Sequence, residues 1–382
     1  MTHKQTIYNL FKFSFFLFYA LNAAIYIMAP AYFKDYYSIS QIASIVFMSA
    51  AGAGTVTILN SFQWFNKMFQ THSISYTVSF ILAFLLIMSP LMLHSFIGLL
   101  IGYYFFGLFY LKKLQALELI SIKKDLNYAK LKSYGTLGFA LSISIPIFSS
   151  NINYEILINS ILLISSVFFF ILALLLKKTI SIEKKNDVFS LKDLFTFLVK
   201  DKILYISMIF FVITNYMNAA FLGVYLKDIG FSETNISESW LVSVLFEFIA
   251  TYFIFNLLKN KITIYQIIFI SIIGSAIRFI LYSYFLVPDM TLVLIAATGH
   301  FFTWGLMHLA LVEVIKNKYK QNLHHLKECL QIYSIIRYFG GPLFVSILAS
   351  FIISFSYDLY WYLAALFPII GFFLIIKLKW NK

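Results

Sequence analysis

The sequence predicts an all-α membrane protein with twelve transmembrane helices arranged as two similar six-helix bundles. Apolar residues make up 61% of the 382 residues and charged residues only 12%, and the mean hydropathy is +0.85. Long apolar stretches recur along the chain, each close to the about 20 residues that a helix needs to cross a bilayer. A polar motif at residue 32 returns at residue 225, about half the chain later.

Hydropathy and polar breaks place the twelve spans in order along the chain. They lie at about 8–31, 40–65, 74–94, 96–117, 134–149 and 156–176, then at about 203–224, 236–257, 262–284, 290–313, 329–352 and 359–378. We expect the first stretch to be an uncleaved span, because it lacks a small-residue cleavage site. The predicted domains are therefore a bundle at 1–176, a linker at 177–202 and a bundle at 203–382.

The central linker is the longest polar connection, and it contains apolar residues at helical spacing. They are Leu191, Leu194, Phe195 and Leu198. This pattern predicts a short amphipathic helix lying on the membrane surface.

The lysines predict the orientation, because positively charged loops stay on the cytoplasmic side of a membrane. With the amino terminus inside, 23 of the 29 Lys and Arg residues fall in or beside cytoplasmic segments, and only Lys34 and Lys227 fall outside. The other four lie inside predicted spans: Lys112, Lys113, Arg278 and Arg337. We expect a bacterial inner-membrane protein with both termini in the cytoplasm. Its net charge of +13 then indicates contact with anionic lipid, not nucleic acid.

The polar motif is an internal repeat. YFKDYYSISQIAS begins at Tyr32 and YLKDIGFSETNIS begins at Tyr225, an offset of 193 residues. A weaker echo places Lys113 at the position of His308. Two similar halves in the same orientation imply a pseudo-two-fold axis along the membrane normal, with a solute site at the seam and rocking of one half against the other.

A further motif, YAKLKSYGTLGF, runs from Tyr128 to Phe139 at the start of predicted span 5. It is similar to the pattern Tyr-Gly-Arg-x-Arg-x-Trp-Gly-Ser-x-Gly-Phe of the major facilitator superfamily, in the branch of phenylpropionate permease-like, nucleoside symporter-like and lactose permease-like proteins. The matching positions are Tyr128, Lys130 and Lys132 for the arginines, Tyr134 for the tryptophan, Gly135, Gly138 and Phe139. VYLKDIGFSETNIS and GHFFTWGLMHLALVEVI also resemble this branch. The resemblance covers nearly the whole chain and implies a secondary transporter.

The sequence departs from the family at two places. The loop NSFQWFNKMFQTH lacks the Gly-x-x-x-Asp-Arg signature. Lactose permease-like proteins carry Glu in span 8, Arg in span 9, and His and Glu three residues apart in span 10. Glu247, Arg278 and His300 fit this order, but Thr303 stands where the second carboxylate is expected. Span 5 also lacks the sugar-binding Arg and Trp of that group.

Ionisable side chains inside a bilayer are costly unless they face the bundle interior, so each is a candidate site residue. For Glu247 we expect proton coupling or contact with the solute. The alternative is a permanent ion pair with Arg278 or Arg337. Each arginine can clamp a carboxylate or a hydroxyl-rich solute through its fork of donors. For Arg278, neutralising Glu247 is an equal alternative.

Span 10 presents three candidates at four-residue spacing, which places them along one stripe of a helix. His300 and His308 are candidate proton relays, and Trp304 is a candidate platform for a ring. The alternative for either histidine is burial against a backbone carbonyl. Lys113, as the counterpart of His308, is a better cavity candidate than Lys112.

Taken together, these features predict proton-coupled uptake of a small organic solute. The excess of Lys113, Arg278 and Arg337 over Glu247 makes an aromatic carboxylate the first candidate, with a nucleoside or a sugar second. We expect no cofactor, since no phosphate-binding loop is present and the single cysteine, Cys329, fits no metal-ligand spacing. We also expect a monomer surrounded by lipid. We expect that the protein is not an enzyme. The distant alternative is an intramembrane acyltransferase that uses a histidine of span 10.

Overall fold

In the computed structural model the described parts of the chain are almost entirely helical. The structure describes residues 3–59, 95–108, 121, 128–148, 154–164, 167, 196, 198–284, 289–319 and 323–380. The helices are α1 (His3–Asn22, Ala23–Met28 and Ala29–Phe33), α2 (Ile39–Leu59), α3 (Phe96–Phe106), α4 (Tyr128–Phe148), α5 (Tyr154–Ile164), α6 (Lys202–Asp228), α7 (Glu233–Ile249, Ala250–Ile254 and Phe255–Lys261), α8 (Ile264–Ser283), α9 (Met290–Thr298, Phe301–Leu306 and Met307–Tyr319), α10 (Leu323–Ile335, Ile336–Gly340 and Gly341–Ile352) and α11 (Tyr357–Trp380).

Within these ranges, nine helices are long and apolar enough to cross a membrane, and α3 and α5 are shorter apolar helices. Helices α1 and α2 correspond to predicted spans 1 and 2, α3 to α5 to spans 4 to 6, and α6 to α11 to spans 7 to 12. Predicted span 3, the later parts of spans 4 and 6 and most of the 177–202 linker lie outside the described residues. Helix α4 includes Tyr128 and so extends before residue 134, where span 5 was predicted to start.

Polar side chains cap the starts of two helices of the second half. Ser232 and Asn235 form a capping box at the start of α7, and Thr263 and Gln266 form another at the start of α8. These side chains bind backbone N–H groups that have no partner inside the helix. The turns between apolar stretches are therefore specified locally.

Small residues allow the helices to approach closely. A Cβ atom on Gly138 in α4 would lie 2.1 Å from the carbonyl oxygen of Phe16 in α1. Helix association inside a membrane relies on such close contacts, since lipid tails are as apolar as the side chains. The repeated glycines of the α4 motif therefore hold α4 against α1.

Among the described residues, the halves meet mainly where α4 packs against α7, α2 against α10 and α1 against α6. The two copies of the Tyr-x-Lys-Asp motif lie together at one end of this junction. There Lys34 pairs with Asp228, and Lys227 pairs with Asp35. We call this the paired end of the molecule.

Candidate functional site

A cavity lies at the junction of the halves. Its lining comes from α1 and α4 of the first half and from α6, α7, α9 and α10 of the second. Seven of the lining side chains are aromatic, among them Trp240 and Trp304, and Glu247, His300 and Arg337 are the lining residues that carry ionisable groups other than tyrosine. The cavity is thus an apolar, ring-lined space with a few charged groups in its wall.

Glu247 lies at the centre of a network in the wall of this cavity. Its Oε1 accepts a hydrogen bond from Lys132 Nζ at 2.5 Å and another from the Thr136 hydroxyl at 3.3 Å. Its Oε2 lies 3.1 Å from His300 Nε2. Lys132 is fully buried and Glu247 is 5% exposed, so little solvent screens this pair. The carboxylate therefore binds one cation from the opposite half and one imidazole from its own half.

Arg278 determines the tautomer of His300. Its NH1 donates to His300 Nδ1 at 2.8 Å, and a guanidinium has only donors. Nδ1 must therefore accept, and the single ring proton of a neutral His300 lies on Nε2, where it is donated to Glu247. The chain of hydrogen bonds runs from Arg278 through His300 to Glu247.

The alternative for Glu247, an ion pair with Arg278, is not what the structure shows. Arg278 binds neutral groups: besides His300, its NH1 donates to the Thr303 hydroxyl at 2.9 Å and its NH2 donates to the hydroxyls of Tyr282 and Ser243. The carboxylate instead binds Lys132, which the charge pattern had placed in a cytoplasmic segment. The one signal in the sequence was the position of Lys132 in the family motif, where an arginine is usual.

Trp304 lies near two cations from different halves. Lys132 Nζ is 5.5 Å from the centre of its ring, and the guanidinium carbon of Arg337 is 4.9 Å away. The face of an aromatic ring attracts cations through its quadrupole. The other alternative, an ion pair between Arg337 and Glu247, is not what the structure shows either, because the Glu247 oxygens bind Lys132, Thr136 and His300. Arg337 lies against the rings of Trp304 and Tyr338.

His308 lies beyond the cavity lining, two turns along α9 from His300. Its Nε2 is 2.9 Å from the Tyr128 hydroxyl and its Nδ1 is 2.8 Å from the Tyr333 hydroxyl. Its ring stacks on Trp304, with 4.6 Å between centroids. Neither histidine is bound to a backbone carbonyl within the described residues, so that alternative is wrong for both.

π-helical segments adjoin the site residues. One begins after Asn22, a second begins after Ile249, close to Glu247, and two more contain Trp304 and Arg337. The extra residue per turn in such segments is frequently found at functional sites. Hydropathy gives no signal for them, since a π-helical turn is as apolar as an α-helical one.

The remaining candidates lie elsewhere. Lys130 lies over the Tyr252 ring, and Tyr134 lies under Lys12. Gly135 contacts the Tyr19 side chain closely. Lys113 lies outside the described residues, as does its neighbour Lys112.

Two asparagines are among the lining residues that the sequence analysis did not single out: Asn22 in α1 and Asn215 in α6. They are 193 residues apart, the same offset as the repeated motif. Extending the repeat alignment inward from Tyr32 and Tyr225 finds them.

The fold and the cavity define a multi-pass membrane transporter made of two helical bundles. The sequence matches the MFS_1 like family over residues 8–363, and the chain belongs to this family. The predicted resemblance to the major facilitator superfamily is confirmed, as is the all-α membrane fold. No curated protein sequence matches the chain.

Several solved structures share the fold. The nucleoside transporter NupG superposes with a TM-score of 0.72 at 14% identity, covering 96% of this chain and 98% of that one. The E. coli fucose:proton symporter FucP gives a TM-score of 0.61 at 13% identity, covering 97% of each chain. A bacterial homologue of the human lysosomal transporter Spinster, in an inward-facing conformation, gives 0.60 at 14% identity, covering 98% and 97%.

Proposed function

We propose that this transporter is a proton symporter that takes up a small organic anion, with an aromatic carboxylate as the first candidate. The observation that carries the proposal is the ion pair between Glu247 of the second half and Lys132 of the first, in the wall of a central cavity. An ionisable pair at this depth is costly and marks a solute or proton pathway.

The ion pair links the proton to the movement of the halves. A proton on Glu247 removes the charge that holds Lys132, so the bridge between α7 and α4 weakens. A ligand shifts a conformational equilibrium only through a difference in its affinity for the two states, and loss of this bridge supplies such a difference. The Glu247–Lys132 contact then couples proton binding to the conformational change that opens the cavity to one side of the membrane or the other.

The charge balance favours an anionic solute. Around the cavity, in the part of the chain that the structure describes, the buried cations are Lys132, Arg278 and Arg337, and the buried carboxylate is Glu247. In a medium of low dielectric constant such an excess attracts a negative charge. The aromatic lining suits a ring of matching size.

A nucleoside or a sugar is the second candidate. The neighbours named above include a nucleoside transporter and a fucose:proton symporter. The same aromatic lining accommodates a nucleobase. We further propose a monomer in the bacterial inner membrane, with bundles at 1–176 and 203–382 and both termini in the cytoplasm.

Uptake into proteoliposomes tests the coupling. A thermal-shift screen of the purified chain against aromatic carboxylates, nucleosides and sugars first selects a solute, and accumulation is then measured with and without a proton gradient. Glu247→Gln should abolish accumulation and retain exchange of solute. Glu313→Gln is the matched control, since Glu313 pairs with Lys259 away from the cavity. Accumulation that persists after the gradient is dissipated overturns the coupling.

A further inference from the structure

Two asparagines related by the repeat face the cavity without a protein partner. The Oδ1 atoms of Asn22 and Asn215 are buried and accept no hydrogen bond within the described residues, and both residues line the cavity. Asn215 is 8% exposed. Trp240 also lines the cavity and is 2% exposed, and its buried indole N–H donates no hydrogen bond within the described residues.

Polar residues nearby on α6 differ from Asn215. Thr214 donates to the carbonyl oxygens of Phe210 and Ala364, at 3.1 and 3.3 Å. These hydrogen bonds satisfy the buried hydroxyl of Thr214, so Thr214 stabilises the fold. The Asn215 Oδ1 makes no such bond, and a buried polar group without a partner is destabilising, so this amide does not stabilise the fold. Asn218 also has no partner within the described residues, but it is fully buried and does not line the cavity.

The asparagines and Arg337 lie at different depths. Gly341 is level with Asn215, since a Cβ atom on Gly341 would lie 2.4 Å from Val212 and 3.3 Å from Tyr216. Helix α10 runs toward the paired end, where Tyr357 contacts Tyr225. Arg337 is four residues, about one helical turn, before Gly341, so its backbone lies farther from the paired end than that of Asn215. The Arg337 cation and the Asn215 amide therefore come from different levels of the cavity wall.

We infer that the substrate class is an aromatic acid carrying a hydroxyl or amide group opposite its carboxylate. Arg337 binds the acid, the aromatic walls hold the ring, and Asn22 and Asn215 bind the second polar group. An amide side chain both donates and accepts, so a hydroxyl or amide satisfies it and a bare ring does not. The inference rests on the proposed uptake of an organic anion and names its substrate class.

Stability of the protein without solute gives the first test. Asn215→Leu keeps the size of the side chain and removes an amide that has no partner, so the melting temperature should stay the same or rise. Thr214→Val, one residue away, should lower it. A fall for Asn215→Leu similar to that for Thr214→Val shows a structural partner for the amide and overturns the inference.

Binding gives the second test, with benzoate and 4-hydroxybenzoate as probes. The parent protein should bind 4-hydroxybenzoate about fivefold or more tightly than benzoate, by one or two hydrogen bonds. Asn22→Leu and Asn215→Leu should remove this preference, and Asn218→Leu should keep it. Equal binding of the two acids by the parent, or binding of neither, overturns the inference.

The two proposals fail separately. A preference for 4-hydroxybenzoate with uptake that ignores the proton gradient removes proton coupling and keeps the substrate class. Proton-driven uptake of another solute, without a preference for 4-hydroxybenzoate, keeps proton coupling and removes the substrate class.

Discussion

Lys34, in the first copy of the repeated motif, binds Asp228 in the second copy, with 2.9 Å between Nζ and Oδ1. The relationship is reciprocal, because Lys227 of the second copy binds Asp35 of the first at 3.1 Å. Each half therefore holds the other at the paired end through the same two residue types. Duplication of a Lys-Asp motif produced two bridges across the pseudo-two-fold axis.

Reversing one charge at the paired end should open it. Lys34→Glu replaces an attraction with a repulsion, and a half-exposed pair contributes up to about 1 kcal/mol. We expect a cysteine at Ala219, in a Cys329→Ser background, to react about fivefold faster with a membrane-impermeant maleimide applied from the paired-end side. The double reversal with Asp228→Lys should restore the slow rate. Equal rates in all three proteins would show that these pairs do not hold the end closed.

Removing Lys132 should destabilise the protein more than removing the whole pair. Lys132→Ala leaves the Glu247 carboxylate buried without its cation, at a cost of about 3–5 kcal/mol. Adding Glu247→Gln should recover much of this loss. The measurement is thermal unfolding in detergent of both single variants and the double variant. Additive changes in melting temperature would contradict a direct pair.

Gly138→Ala should separate α1 from α4, because the new methyl group would overlap the Phe16 carbonyl oxygen. Helices in contact inside a bilayer have no room for such a shift at low cost, so we expect a lower melting temperature and a lower yield of folded protein. Gly340→Ala is the control, since nothing in the described structure lies within 4 Å of its Cβ position. An unchanged Gly138→Ala protein would argue against this close contact.

Arg337→Gln should weaken binding of a charged solute more than that of a neutral one. A hydrogen bond to a charged group contributes about 1.5–3 kcal/mol, so the affinity for benzoate should fall roughly tenfold or more. Benzamide, with the same ring and no charge, should lose much less. Arg337→Lys should give an intermediate result for benzoate, since it keeps the charge and loses the planar fork. Equal losses for both solutes would place the carboxylate elsewhere.

The candidate site was predicted only in part. Glu247, His300, Trp304 and Arg337 were singled out as charged or aromatic groups inside apolar stretches, and all four line one cavity. Lys132 was named only as a residue of the family motif and not as the partner of Glu247, because a lysine near the end of a span usually signals the cytoplasmic side. Asn22 and Asn215 were missed because an asparagine changes hydropathy too little to stand out.

Sequence alone determined that the chain is a helical membrane protein with a duplicated plan, because hydropathy, helix length and repeats are properties of local stretches. Only the tertiary structure decided which charges meet. Glu247 and Lys132 are 115 residues apart, and their pairing depends on how α7 lies against α4. The pairing of Lys34 with Asp228 and of Lys227 with Asp35 likewise depends on how the two halves pack against each other. No local sequence pattern encodes that packing.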